Sequence, residues 1–436
     1  MSRQKNNRRW FRLAVWGLLF LLSGCKGPEP EIIEEGSKAG ERAVLTICIA
    51  QAQWDESIDG LTALYLKSHP EVESIQWTLV QRNTYWDLMN MKLATGTLPD
   101  IMEVRAGEEL RQWYPHLDAL DDMPVLDLIF PELLDNGMAE GRCYTVPQAI
   151  YGMGILYNTR LLAEAGWERL PETRTELEAL CRDLEKAGIR QFMNPYHEIS
   201  TWVEYGMLQM ISMKDNPELY VEHLKKSNQR PIGKDPEWNA LLDFTDLTLR
   251  YGNRRLLQLD TDLARNYFYI GRYAMIVGES ARAVDGMRRA GQRVEQWAQI
   301  GPVLLGDDRD KNRLLTDVVR LGITKKAEHP AEAREFLTWL VSDEEALEYQ
   351  KQVMGIVPVV KSACEEGLGP IAKETYRYYR NGEMTGEYTG LLPREMTDAT
   401  GKDWARYVTG ETDRAGLLTA CEEYWKTYAE RMKAAD

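Results

Sequence analysis

Side chains able to make or break bonds are few and scattered. The chain holds six cysteines and five histidines among 436 residues, and neither type clusters at metal-ligand spacing. With Cys25 set aside, Cys48, Cys143, Cys181, Cys364 and Cys421 are odd in number and lack C-x-x-C spacing. That argues against a disulfide framework and against a zinc site. Cys48 and Cys181 stand in apolar patterns and read as buried thiols. Adjacent carboxylates, Asp121 with Asp122 and Glu365 with Glu366, are the residue types that cleave glycosidic bonds. On a carboxylate-rich chain, neighbouring acids read more simply as solvated faces. There is no G-x-S-x-G elbow, no H-E-x-x-H, no phosphate-cradling loop and no G-x-G-x-x-G. Gly152 with Gly154, and Gly367 with Gly369, give a bare G-x-G that reads as turns. The inventory favours binding over catalysis, and no cofactor or metal is implied.

Cys25 is the exception. Arg3, Lys5, Arg8, Arg9 and Arg12 precede an apolar run from Leu13 to Leu22, which is too short to span a bilayer. The run ends in Leu22-Ser23-Gly24-Cys25, which resembles the lipobox of bacterial lipoproteins. The alternatives are a membrane anchor helix or a chance cysteine after small residues. The lipobox reading makes 1–24 a signal peptide and Cys25 the lipidated residue. Residues 25–43, with Pro28, Pro30 and a cluster of glutamates, become a flexible tether to a membrane surface facing outside the cytoplasm. Removing residues 1–24 leaves 48 basic against 68 acidic side chains, a net charge of −20.

The full chain carries 53 basic and 68 acidic residues, 44% hydrophobic residues, 13 Trp and 21 Tyr. A net charge of −15 excludes a nucleic-acid binder that works through global positive charge, and the aromatic content excludes a disordered chain. The length predicts two or more domains. Val44–Ala50 reads as a buried strand, a helix follows around Leu61 to Leu66, and Ile75 to Val80 reads as a second strand. A further helix from Tyr85 to Gly96 and a strand at Leu98–Val104 complete an α/β pattern with a largely parallel sheet. Later strands are expected at Tyr144–Val146, Gly154–Tyr157, Tyr273–Val277 and Val318–Ile323, amid more helix.

Several stretches then line up. His69-Pro70-Glu71-Val72, Tyr85-Trp86-Asp87 and Ala94 through Ile101 come first. Gly141 through Pro147, Gly154 through Asn158, and Phe268 through Met275 follow, and His329 through Leu337 and Gly355-Ile356-Val357-Pro358 come last. In this order they resemble the extracellular solute-binding proteins of ATP-driven importers, in particular the carbohydrate-binding group of the maltose-binding-protein type. The resemblance implies two α/β lobes, each with a central sheet flanked by helices, joined by several hinge crossings and closing over a ligand. Crossings are placed near Pro147, Gly301 and Asp343. The first lobe is then 44–147 and 302–343, and the second 148–301 and 344–436. The implied partners are a sugar or oligosaccharide and a membrane permease, with the chain a monomer. A lipid-anchored carbohydrate-active enzyme and a receptor presenting ligand to a membrane sensor are the competing readings.

The resemblance also implies where ligand is touched. Gln53, Trp54 and Asp55 follow the first strand at its carboxyl edge, with Trp54 alternatively a cap on the core. Arg105 follows the third strand and competes with a plain solvated arginine. Tyr151 lies four residues past Pro147 and competes with a hinge-packing ring. Glu198 and Trp202, near Tyr196, offer a carboxylate and a stacking face, with core packing as the alternative for Trp202. Relatives carry a stacking Trp soon after the stretch matching Met275, where this chain has Gly278-Glu279-Ser280-Ala281-Arg282. Glu279 would bond hydroxyls, pair with a cation or cap the next helix, and Asp317 would face the cleft.

Overall fold

The computed structural model describes residues 42–50, 54, 57–226, 232–291, 297–393 and 395–435. Cys25, the signal segment, nearly all of the tether, Gln53 and Asp55 lie outside the described residues. Among the described residues, no helix is long and apolar enough to cross a membrane.

Strands β1 (Ala43–Ile49), β2 (Val72–Leu79) and β3 (Ile101–Glu103) are linked by helices Ile58–Ser68 and Arg82–Thr95. They pair in parallel in the order β2-β1-β3, as strand–helix alternation requires. The second helix stops at Gly96, which takes the left-handed conformation (φ 70°) that ends helices without a Cβ clash. A small hairpin of β4 (Met138–Ala139) and β5 (Arg142–Cys143) stands apart. The rest of the main sheet comes from β6 (Val146–Asn158), β7 (Phe192–Met193), β8 (Met275–Glu279), β9 (Ala298–Gly301), β10 (Leu315–Ile323) and β11 (Val357–Pro358). The order is β2-β1-β3-β10-β6-β8-β7, with β9 and β11 also on β6. The sheet is more mixed than expected. Only β2-β1-β3 and β7-β8 are parallel, and every pairing made by β10 and β6 is antiparallel.

Two separate strands were expected where β6 runs as one, with all 13 residues buried. The turn reading of Gly152 and Gly154 is the reason, and it is corrected here. Both glycines sit inside β6, where neighbours leave no room for a side chain. A Cβ on Gly154 would stand 2.1 Å from the Gly301 carbonyl oxygen, and one on Gly152 would stand 2.7 Å from a Leu314 methyl. Glycine inside a strand here marks close approach of another backbone.

β6 joins two lobes. Its first half pairs with β10 and β11 beside β3, and its second half with β8 and β9. In the first lobe, Leu45, Ile47 and Tyr65 pack against Phe336, Leu337 and Trp339 of helix Pro330–Ser342. In the second, Leu177, Trp202, Phe244, Trp404 and Trp425 belong to one core. Val303, Leu304, Leu305 and Leu315 join that second core, whereas Leu314 and Val318 join the first. Helix Glu344–Tyr349 follows helix Pro330–Ser342 onto the first-lobe side, its Ala346 buried in that core. Core membership alternates with the face of the sheet: Leu156 and Ile276 belong to the first core, and their strand neighbours Ile155, Met275 and Val277 to the second.

Helix Ile199–Ser212 carried no amphipathic signal because it is buried nearly all round, from Trp202 to Ile211 with one break. If Gly154 is held by backbone contact, Gly154→Ala should destabilise the fold by about 1–3 kcal/mol. A lowered denaturation midpoint checks this, and an unchanged midpoint would show that Gly301 yields.

Candidate ligand-binding site

The carboxyl ends of β1 and β3 meet at Glu103, on the edge where such sheets bind ligands. Glu103, the last residue of β3, is 1% exposed. It accepts the Ala50 amide at 2.9 Å and pairs with Arg82, the first residue of helix Arg82–Thr95. Two residues on, the Arg105 guanidinium lies 3.2 Å from Glu204 Oε1 on helix Ile199–Ser212. It also lies 3.2 Å from Asp317 Oδ2 on β10. Arg105 thus bridges first-lobe loop, second-lobe helix and shared strand. Burial works against its charge, but Asp317, Glu204, Glu109 and Glu103 outweigh it and hold the guanidinium protonated. It is no solvated loop arginine.

Tyr151 stands opposite Asp317 in the β6–β10 ladder and is 1% exposed. Burial, reinforced by the Glu103 charge, pushes its phenol well above the usual range, so it stays a neutral hydroxyl. The Trp54 side chain pulls the other way, which places that indole beside the phenol, although no hydrogen bond of ordinary geometry joins them. Trp54 itself is 4% exposed and belongs to the first core, so it packs and borders the cleft at once.

On the second-lobe side, Glu279 ends β8. Its side chain does not cap the following helix. The Tyr205 hydroxyl donates to it, and Arg282 Nε lies 3.5 Å from its other oxygen. Burial would raise this carboxyl, but Arg282, Tyr205, Arg265 and Arg105 together hold it below the usual range. Glu204, a few ångströms of cleft away on Arg105, goes the other way. Burial raises it, and Arg105 only partly offsets that. Glu198 pairs with Arg265 at 3.4 Å. Trp202 stacks on Phe244 (5.8 Å, 7° between planes) and meets Tyr196 edge-on at 4.8 Å, so core packing fixes the ring while it also walls the pocket. Free space in that pocket is about 30 Å³, room for water rather than a sugar ring.

The structure therefore brings Trp54, Arg105, Tyr151 and Asp317 together, and Glu198, Trp202 and Glu279 around one pocket. The sequence reading missed Arg82, Glu103, Glu204, Tyr205, Arg265 and Arg282. Arg82 and Glu103 could have been found from their position just past or at the ends of β2 and β3. Tyr205 could have been found from its spacing of three after Trp202 on the same helix face, whereas Glu204 left no local signal. Several buried polar atoms here have no protein partner among the described residues: Trp54 Nε1, Arg82 Nη1, Arg105 Nε, the Tyr151 hydroxyl, Trp202 Nε1 and Asp317 Oδ1.

The chain around Gly107 also touches Gly390 backbone to backbone. The Glu108 amide donates to the Gly390 carbonyl at 3.1 Å. A Cβ on Gly107 would lie 2.6 Å from that oxygen, and one on Gly390 would lie 2.0 Å from the Ala106 oxygen. Nearby, Lys225 of helix Pro217–Lys226 reaches Glu108 at 3.0 Å.

A family profile described as bacterial extracellular solute-binding protein matches residues 62–374. The chain belongs to that family. No curated protein matches this solute-binding protein. Solved structures resemble it across nearly their whole length. RafE in complex with raffinose has a TM-score of 0.74 at 15% identity, covering 89% of this chain and 100% of that one. The substrate-binding protein Lmo0181 from Listeria monocytogenes, in complex with cycloalternan, has 0.68 at 15%, covering 89% and 99%. Maltose-bound MalE3 of T. maritima has 0.69 at 18%, covering 88% and 100%. At these identities the likeness establishes the two-lobed α/β fold.

The opposed carboxyls of this solute-binding protein yield a signed prediction. A carboxyl raised in the folded state contributes stability below its unfolded pKa, and that contribution is lost as pH rises. Glu204→Gln should therefore gain stability relative to the parent as pH rises from 4 to 7, read as the difference in melting temperature. A difference that stays flat with pH would contradict the desolvation of Glu204, whose side chain is half-buried.

Proposed function

We propose that this protein captures a carbohydrate between its lobes and delivers it to a membrane permease of an ATP-driven importer, without making or breaking bonds. The observation that carries this reading is the set of buried, unpartnered polar atoms from both lobes. Trp54 Nε1, Arg105 Nε and Trp202 Nε1 can only donate, Asp317 Oδ1 can only accept, and the Tyr151 hydroxyl does either. A ligand rich in hydroxyls, each donor and acceptor, satisfies such a mixture, and the Trp and Tyr faces suit the apolar side of a sugar ring. Membership in the solute-binding family and the sugar ligands of the similar structures support the same reading. Contacts from both lobes favour the closed state when ligand is present. We place the ligand contacts at Gln53, Trp54, Asp55, Arg105, Tyr151, Glu198, Trp202, Glu279 and Asp317, and extend them to Arg82, Glu204 and Arg282. Lobe crossings are placed near Pro147, Gly301 and Asp343, and the lipid anchor at Cys25.

A thermal-shift screen across mono- and oligosaccharides tests the reading, because a ligand of the folded state raises its apparent stability. No shift from any sugar, or release of reducing ends from an oligosaccharide by the pure protein, would overturn it. Tyr151→Phe gives the finer test. Its hydroxyl has no partner in the protein, so removal should leave the melting temperature unchanged or higher. Affinity for the sugar found by the screen should fall about fivefold, the worth of one hydrogen bond of about 1 kcal/mol. Unchanged affinity would take Tyr151 off the ligand. For the anchor, Cys25→Ala should abolish incorporation of labelled fatty acid while the body still folds.

A further inference from the structure

A second cavity shares no lining residue with the pocket around Glu198, Trp202 and Glu279. It measures about 700 Å³, within the range of small-molecule sites. Its walls are the loop at Arg169–Glu172, the end of β9, the loop at 309–313 and the last turns of helix Pro370–Arg380. Asn312 is 7% exposed and lines it. Its Nδ2 donates to the carbonyls of Glu172 (3.0 Å) and Gly306 (2.9 Å). Those bonds fix the amide's orientation, because a flipped group would set oxygen against two carbonyl oxygens. Asn312 Oδ1 is left without a protein partner. A buried acceptor in that state asks for a donor.

We propose that this cavity is a second binding site, for a neutral, hydroxyl-rich small molecule, with Asn312 Oδ1 accepting one of its hydroxyls. The charge arrangement argues against an anion. Four arginines of the lining meet four lining carboxylates, so the walls are neutral in sum. Arg169 is held bidentately by Glu176 (2.8 and 3.0 Å), Arg309 by Glu172 (2.6 Å), and Arg377 by Glu374 (2.9 Å) and Glu365 (3.1 Å). Donors of these three are already committed to carboxylates, and the fourth, Arg313, gives its Nε to the Asp310 carbonyl at 3.1 Å, so an incoming anion would have to displace carboxylates from three of the four. Leu170, Pro171 and Pro302 add apolar floor. The Tyr378 ring stands over it, its phenol pushed up to about 12 by burial and so a neutral donor at physiological pH. Hydroxyls above apolar carbons are the complement of these walls.

The test follows the Gln299 side-chain amide, which lines the cavity, by NMR on the full protein while glucose, myo-inositol or sulfate is added separately. Glucose or myo-inositol should move this resonance saturably, and Arg105→Ala, in the interlobe cleft, should leave the response intact. Asn312→Leu should weaken it about tenfold, the effect of losing a buried hydrogen bond at the upper end of the usual range. Tyr378→Ala, which spares the bonds that Asn312 makes to the two loops, should weaken it as well and decides the matter if Asn312→Leu does not fold. A resonance unmoved by either polyol, equal affinity in the variants that fold, or tighter binding of sulfate than of glucose would overturn the proposal.

Discussion

A guanidinium drawn out of water must be met by opposite charge, and Arg105 sets that demand between the lobes. Asp317 and Glu204 answer it directly, with Glu103 and Glu109 behind them. Because Glu204 belongs to the second lobe, the charge balance of the cleft is a contact between lobes. Removing either partner would strand a buried charge, which costs far more than the pair gains when intact. The same crowding of carboxylates makes the cleft unfavourable to an anionic ligand, and leaves single donors and acceptors for neutral hydroxyls to fill.

That cleft depends on β6. A strand of 13 residues spans about 43 Å, long enough to carry one lobe on each half. β10 runs beside it and brings Asp317 opposite Tyr151 at the middle. Both lobes are therefore registered to one hydrogen-bond ladder.

Much of the architecture was legible from the chain. The alternation of strand and helix before Val104 gave β1, β2, β3 and their parallel order, because each element there has its own periodicity and stop signal. The continuity of β6 was hidden, since glycine looks alike whether it turns a chain or makes room beneath Leu314. Helix Ile199–Ser212 was hidden for the opposite reason, its burial all round erasing any stripe. At the site, residues at strand ends were readable as Trp54 and Arg105. Glu204 was not, because its role exists only through Arg105, 99 residues away in sequence. No local pattern records such a partnership. Glu279 illustrates the middle case. Its place just past the expected strand was near the mark, since β8 runs on to Glu279 itself, while the choice among cap, cation partner and hydroxyl acceptor needed the positions of Tyr205 and Arg282.

Gly107 and Gly390 carry a consequence of their own. With no side chains between them, the two backbones meet, and the Glu108 amide reaches the Gly390 carbonyl at 3.1 Å. A side chain at either glycine would set its Cβ 2.6 Å or 2.0 Å from a carbonyl oxygen and drive the two segments apart. The closeness of these segments is therefore encoded by what the sequence leaves out.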